Sequence, residues 1–206
     1  MRIKPLTSLI IEPTNTCNLR CTFCFVTEGM TRDEGFMDLK LFKKVIDDTP
    51  DLEHLCMHNW GEPLLHKEIF EMFDYAHQAG VKHIVMNTNG TLLTDKMINK
   101  IIESPLNIIR FSIDGSADTF KRIRGVELQK IKENILRLKK AKETKRPELS
   151  MGVVFTVEED TQEDVEEYIE HWETIVDHVR TQPKLIQSPR SEPCPEPFGK
   201  DYGKLV

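Results

Sequence analysis

A chain of 206 residues, 39% hydrophobic and 30% charged, can build one sizeable soluble core. Its net charge of −6 argues against a general nucleic-acid binder, whose surface must be basic, and no apolar run approaches the roughly 20 residues of a membrane span. Five cysteines, an odd number with three clustered, fit a reducing cytoplasm rather than a disulfide framework, and residues 1–13 hold too short an apolar run for a secretory signal.

The elements alternate. A strand is expected at residues 6–12 around Leu9, Ile10 and Ile11. Residues 37–47 predict a helix with Leu41, Phe42, Val45 and Ile46 on one face and Asp38 as its N-cap. A second strand is expected at 54–58. A helix at 67–78 follows, with Ile69, Phe70, Phe73 and Ala76 inward and Gly80 as its stop. The third strand is 82–86, and a helix from Thr94 carries Met97, Ile98, Ile101 and Ile102. The fourth strand is 108–113, followed by a helical region whose main part, 127–143, turns its lysines and arginines to solvent. The fifth strand is 149–157. Thr161 is expected to cap a last helix with Val165, Tyr168, Ile169 and Trp172 inward, before a sixth strand at 178–181.

Six parallel strands joined by helical crossovers must curl with one hand. The predicted fold is therefore α/β, an open (β/α)6 partial TIM barrel over residues 1–182, with its chemistry at the C-terminal strand ends. Five of the eleven prolines fall in 183–197, so 183–206 is read as a proline-rich tail without regular structure.

The chemistry-bearing residues fall at those strand ends. Cys17, Cys21 and Cys24 are spaced C-x3-C-x2-C on the loop after the first strand. Three thiolates on one short loop can converge on one soft metal centre. A closed zinc site or a four-cysteine cluster takes four ligands, so either a position is left for a substrate or cofactor, or a distant fourth ligand completes a zinc site. The second strand ends in Asn59-Trp60-Gly61-Glu62-Pro63. Gly61 would let the backbone approach a ligand, and Glu62 can accept a hydrogen bond from an amino group; an ordinary Gly-Pro turn is the alternative. The third strand ends in Asn87-Thr88-Asn89-Gly90, whose amides could order the cysteine loop or bind a cofactor, although Asn-Gly is also a common turn. Ser112 and Asp114, two apart at the fourth strand's end, share a face toward the barrel interior. Arg124 precedes Gly125, with an exposed salt bridge as its alternative role. Thr156 lies late in the fifth strand, where alternation alone does not set its direction. Cys56 reads as a buried, inert thiol.

Together these segments resemble the signature of the radical S-adenosylmethionine (radical SAM) superfamily. Phe23 fills the aromatic position of its C-x3-C-x-aromatic-C loop, and Trp60 replaces the first glycine of its Gly-Gly-Glu-Pro turn. The resemblance implies that Cys17, Cys21 and Cys24 hold three irons of a [4Fe-4S] cluster, whose fourth iron chelates S-adenosylmethionine. It implies that Gly61, Glu62 and Pro63 meet the methionine amino group, and that Asn87 and Asn89 serve the loop or the cofactor. Ser112 and Asp114 would lie near the ribose, Arg124 near the methionine carboxylate, and the backbone around Phe23 at the adenine; Thr156, by its place late in the fifth strand alone, could face the cofactor. An electron donor such as flavodoxin or ferredoxin is implied. So is cleavage to a 5′-deoxyadenosyl radical, which abstracts a hydrogen atom from substrate.

Cys194, in Pro193-Cys194-Pro195-Glu196-Pro197, resembles the beginning of a SPASM or shorter twitch extension, which carries auxiliary iron–sulfur clusters. Only one such cysteine is present, so a truncated chain is expected, with an incidental loop thiol as the alternative. Branches with such tails modify peptides or proteins, or oxidise alcohols of sugars and aminocyclitols. A peptide or small-molecule substrate is expected, with no nucleic acid and no membrane. Two other readings stay open: a non-catalytic iron–sulfur or zinc module, and an inactive chain of the same fold.

Overall fold

The computed structural model describes residues 5–184. Cys194 and the tail beyond Lys184 lie outside the described residues. Six strands form one sheet in sequential order, every neighbouring pair parallel: β1 (Ser8–Ile10), β2 (His54–Cys56), β3 (His83–Thr88), β4 (Ile108–Ser112), β5 (Ser150–Val157) and β6 (His178–Pro183). Among the described residues, seven α-helices are interleaved: α1 (Phe25–Glu28), α2 (Leu39–Asp47), α3 (Ile69–Gln78), α4 (Asp95–Glu103), α5 (Ala117–Arg124), α6 (Leu128–Lys145) and α7 (Val165–Glu173). The sheet curls into a half-barrel with helices packed outside it.

The core lies between sheet and helices, and the period-two alternation of each strand decides what enters it. Leu55 and Met57, Ile84 and Met86, Ile109 and Phe111, and Val153 and Phe155 are buried on the helix side. Phe42, Phe73, Ile101, Ile135 and Trp172 meet them from the helices. The alternate residues of the strands face the concave side.

Local chemistry sets the helix ends. Asp38 caps α2, its side chain accepting from Lys40 N (2.7 Å) and Leu41 N (3.3 Å). Thr94 caps α4 through Met97 N (3.2 Å). Gly125, at φ 72°, closes α5 in the left-handed region that glycine tolerates.

Four expectations need correction. Leu41 is 53% exposed, because the α2 face that meets the sheet is centred on Phe42 and Ile46. Thr161 does not cap α7. It lies inside a 3-10 turn, Glu159–Asp164, where its hydroxyl accepts from Glu158 N (2.9 Å) in a reciprocal box, and α7 starts after Asp164. Lys142, on the helix read as solvated, is buried and paired with Asp177. Cys56 is only half-buried on the concave side, with Sγ 3.3 Å from Nδ1 of His58. Strand β6 also runs two residues further than expected, to Pro183, which is tolerated because β6 is an edge strand. Among the described residues, no helix is long and apolar enough to cross a membrane.

Candidate active site

The cysteine loop leaves β1 and is held by its own polar side chains. Thr14 and Asn15 are buried but fully engaged: Thr14 Oγ1 donates to Gly35 O (2.6 Å), and Asn15 spans Asp33 O (2.9 Å) and Gly35 N (2.7 Å). These bonds fold residues 30–36 back over the start of the loop. Cys21 packs with Leu19 and Ile123 in a small apolar cluster, with Cys17, Phe23 and Cys24 half-buried around it. Thr22 N donates to Ile123 O (3.0 Å), seating the loop on the end of α5.

Nitrogen donors approach two of the sulfurs. Leu19 N and Asn89 Nδ2 lie 3.5 and 3.9 Å from Cys17 Sγ, and Arg124 Nη1 lies 3.8 Å from Cys21 Sγ. Burial pushes the Cys21 thiol up to about 11, against the pull of Arg124, and raises Cys17 as well. A bound metal would oppose this rise by favouring the thiolates. The donors are placed to stabilise sulfur once it is anionic. Among the described residues, no three His, Cys, Asp or Glu side chains stand close enough to share a single metal ion. Ligands of one zinc, each about 2.3 Å from the ion, would have to crowd together; a four-iron cluster distributes three thiolates over three irons.

The turn after β2 clamps this loop. A Cβ on Gly61 would overlap the Thr14 carbonyl group and fall 2.8 Å from Thr16 O. The close approach that Gly61 permits is made here to the cysteine loop's backbone. Glu62 N reinforces it with a bond to Thr16 O (2.9 Å). The Glu62 carboxylate, 2% exposed, accepts from Thr88 Oγ1 (2.8 Å), Leu64 N (3.1 Å) and Asn89 N (2.8 Å). These donors tie the β2 turn to the β3 turn. Burial raises its pKa, and those three donors oppose the rise. Pro63 is buried at the first position of the 3-10 turn Pro63–Leu65.

Asn89 also orders the loop: its Nδ2 donates to Asn18 Oδ1 (2.9 Å), and its Oδ1 accepts from Thr91. Asn87 differs. Its backbone N donates to His58 Nδ1 (3.0 Å), and its side-chain Oδ1 is buried without a protein partner. Asp114 is fully buried, accepting from Arg124 Nε (2.6 Å) and Thr156 N (2.9 Å). Arg124 is therefore a buried bridge between Asp114 and Cys21, not the exposed ion pair of the alternative reading. Ser112 is half-buried on the concave face, and Thr156 Oγ1 accepts from Gln182 (3.3 Å). Phe23 carries the Lys184 ammonium 5.8 Å from its ring centre.

Sequence reasoning passed over several residues that build the site. Thr14, Asn15, Asn18 and Thr88 carry no periodic signal, and their roles are hydrogen bonds between segments far apart in the chain. Trp60, noted only as a substitution, packs edge-on against Phe25 of α1 at 4.1 Å, and its backbone N donates to Glu12 (3.0 Å).

Residues 11–171 match the radical SAM superfamily. A tungsten-containing aldehyde ferredoxin oxidoreductase cofactor-modifying protein of Pyrococcus furiosus is 33% identical over 159 residues, covering 73% of this chain and 44% of that protein. A GTP 3′,8-cyclase of Desulforamulus reducens is 32% identical over 120 residues, 56% of this chain and 37% of the cyclase. This chain thus spans less than half the length of these relatives. In structure, Streptococcus suis SuiB bound to S-adenosylmethionine superposes with a TM-score of 0.71 over 89% of this chain and 42% of SuiB, at 16% identity, which shows a shared fold. SuiB bound to its precursor peptide SuiA gives a TM-score of 0.69 at 17% identity, over 88% of this chain and 40% of SuiB. With the family match spanning most of the half-barrel and the cysteine loop within it, this chain belongs to the radical SAM superfamily.

Proposed function

We propose that this chain is the core of a radical SAM enzyme. Cys17, Cys21 and Cys24 hold a [4Fe-4S] cluster, and S-adenosylmethionine binds beside it at the strand ends. The observation that carries this reading is one loop bearing three thiols, approached by nitrogen donors and clamped by Gly61, Glu62 and Asn89. Three thiols suit a four-iron cluster that keeps one iron for a cofactor. When bound, the cluster supplies the electron that cleaves S-adenosylmethionine reductively, yielding methionine and a deoxyadenosyl radical that takes a hydrogen atom from substrate.

The protein's own residues bind and position. Arg124 and Asn89 direct N–H groups at sulfur. Asn87 Oδ1, buried and unpartnered, is an acceptor for a polar hydrogen of the cofactor. Ser112, Thr156 and the backbone around Phe23 offer further polar contacts there, while Asp114 acts through Arg124. The concave face shields the reaction from solvent.

For the substrate, we favour a peptide over a sugar or aminocyclitol alcohol; the support is that SuiB, which shares the fold, has a structure bound to a precursor peptide. A flavodoxin or ferredoxin in a reducing cytoplasm would supply electrons. An auxiliary cluster that includes Cys194 would need thiols from outside this chain, since its other four cysteines lie at positions 17 to 56.

Anaerobic reconstitution tests the centre. About four irons and four sulfides per chain are expected. Cys17→Ala, Cys21→Ala and Cys24→Ala should each lose them, while Cys56→Ala keeps them. With reductant, the reconstituted chain should release 5′-deoxyadenosine. A colourless protein holding one zinc overturns the proposal in favour of a structural module.

A further inference from the structure

The two turns that clamp the cysteine loop continue into a groove on the surface. The 3-10 turn Pro63–Leu65 leads into α3, and the β3 turn leads through Thr94 into α4, so both helices begin at the same end of the sheet as the cysteines. Between their first turns lies a groove of about 320 Å³. Leu65, Phe70 and Met97, all half-buried, form its apolar floor, and Lys67, Lys96 and Lys100, all exposed, stand at its rim. The Lys100 ammonium lies 5.4 Å from the centre of the Phe70 ring, which holds that charge over the floor.

Charge in the groove is one-sided, because no carboxylate lines it. Glu71 and Asp95, on the first turns of α3 and α4, stay outside the lining, and Asp95 is bound by Arg137 (2.5 Å). The chain as a whole carries −6. An acidic partner is therefore repelled by most of the surface and drawn to this patch, which fixes where it lands. An apolar floor inside a charged rim is also the anatomy of a protein interface.

Three contacts join the groove to a cysteine. Leu64, which also lines the groove, donates its N–H to Glu62 Oε1 (3.1 Å). Glu62 Oε2 accepts from Asn89 N (2.8 Å), and Asn89 Nδ2 lies 3.9 Å from Cys17 Sγ. Electron transfer weakens steeply with distance and with gaps in the path. An electron delivered at this groove would reach the cysteine loop through bonded and touching atoms rather than through solvent.

We propose that the lysine-rimmed groove is the docking site of the electron donor, a small acidic electron-transfer protein of the flavodoxin or ferredoxin kind. This deepens the proposed function by giving the donor a place on the surface, and it rests on that reading. In the docked pair the reduced carrier loses one electron and the cluster gains it, with no bond made or broken. Lys67, Lys96 and Lys100 meet carboxylates of the carrier, and the apolar floor excludes water between the two.

The test starts with anaerobic calorimetry on the reconstituted chain, into which an oxidised flavodoxin and an oxidised [2Fe-2S] ferredoxin are titrated separately. At least one should bind, more weakly as salt rises. Lys67→Glu, Lys96→Glu and Lys100→Glu should each weaken binding about threefold or more, and the triple variant about twentyfold or more, the scale of exposed ion pairs. Lys140→Glu, the same charge change on the exposed surface of α6, should stay within about twofold. Deoxyadenosine release is then driven either by the reduced carrier, below saturation, or by dithionite, a small reductant that needs no docking. The lysine variants should lose carrier-driven release in proportion to binding and keep the dithionite-driven rate. The proposal is overturned if neither carrier binds the unaltered chain, or if the triple variant binds as the parent does. Dithionite-driven release that falls equally also overturns it, because the lysines would then serve the cysteine loop. So does a triple variant that sediments as a monomer where the parent self-associates, which would give the groove to a second copy of the chain. No release with dithionite from the unaltered chain counts against the cluster reading instead, and calorimetry still decides the docking site.

Discussion

Gly61→Ala is the sharpest probe of how the site is built. The added methyl would meet main chain, with the Thr14 carbonyl carbon at 2.7 Å and Thr16 O at 2.8 Å. A flexible side chain could swing aside, but here the loop before Cys17 must move or the β2 turn must open. Overpacking of this kind costs about 1–3 kcal/mol. Opening the turn also breaks the Glu62 N to Thr16 O bond (2.9 Å), worth about 1 kcal/mol more. A total of about 2–4 kcal/mol lowers the melting temperature of a domain this size by roughly 5–15 °C. Gly35→Ala is the matched control, since a Cβ there has no heavy atom within 4 Å and its φ is not positive. The assay is a thermal melt of the metal-free chain, paired with iron content after anaerobic reconstitution. Gly61→Ala should melt early and hold less iron, while Gly35→Ala tracks the parent in both. A Gly61→Ala chain that melts within about 2 °C of the parent and fills with iron normally would refute the clamp.

Two further predictions test the buried charges. Arg124→Met removes the guanidinium bridging Asp114 and Cys21 and strands a fully buried carboxylate; a loss of about 3–5 kcal/mol is expected in urea denaturation, and Arg124→Met/Asp114→Asn should recover much of it. If the single variant is as stable as the parent, the pair has no structural weight. His58 titrates near 4 when folded and near 6.5 when unfolded, so between these values the unfolded chain binds the extra proton. Its contribution is present above pH 6.5 and lost as pH falls toward 4, by about 2–3 kcal/mol, with His178 adding in the same direction. Melting temperature of the metal-free chain measured from pH 7 to pH 4 should therefore fall less steeply in His58→Gln than in the parent; parallel curves would exclude His58 as a source of the acid sensitivity.

What the sequence could and could not convey follows from the range of each interaction. The caps at Asp38 and Thr94 act over two or three residues, so their residue types announce them. The cysteine spacing is equally local, and strands such as β4, with Ile109 and Phe111 buried and Arg110 and Ser112 on the other face, declare their alternation outright. The sequence falls silent where a partner comes from a distant segment. Gly61 announces a close approach but not what approaches, and the answer lies 47 residues earlier, at Thr14. Glu62 offers an acceptor, yet its three donors come from Leu64, Thr88 and Asn89, and two of these belong to the next strand's turn. Arg110 and His178 meet only because Gly152 leaves the intervening position empty, a fact of sheet register rather than of any single strand. Gly61, Glu62 and Asn89 thus each hold the cysteine loop in place. A variant at Gly61, Glu62 or Asn89 that loses cofactor binding would therefore not show direct contact until the loop had been shown to keep its place.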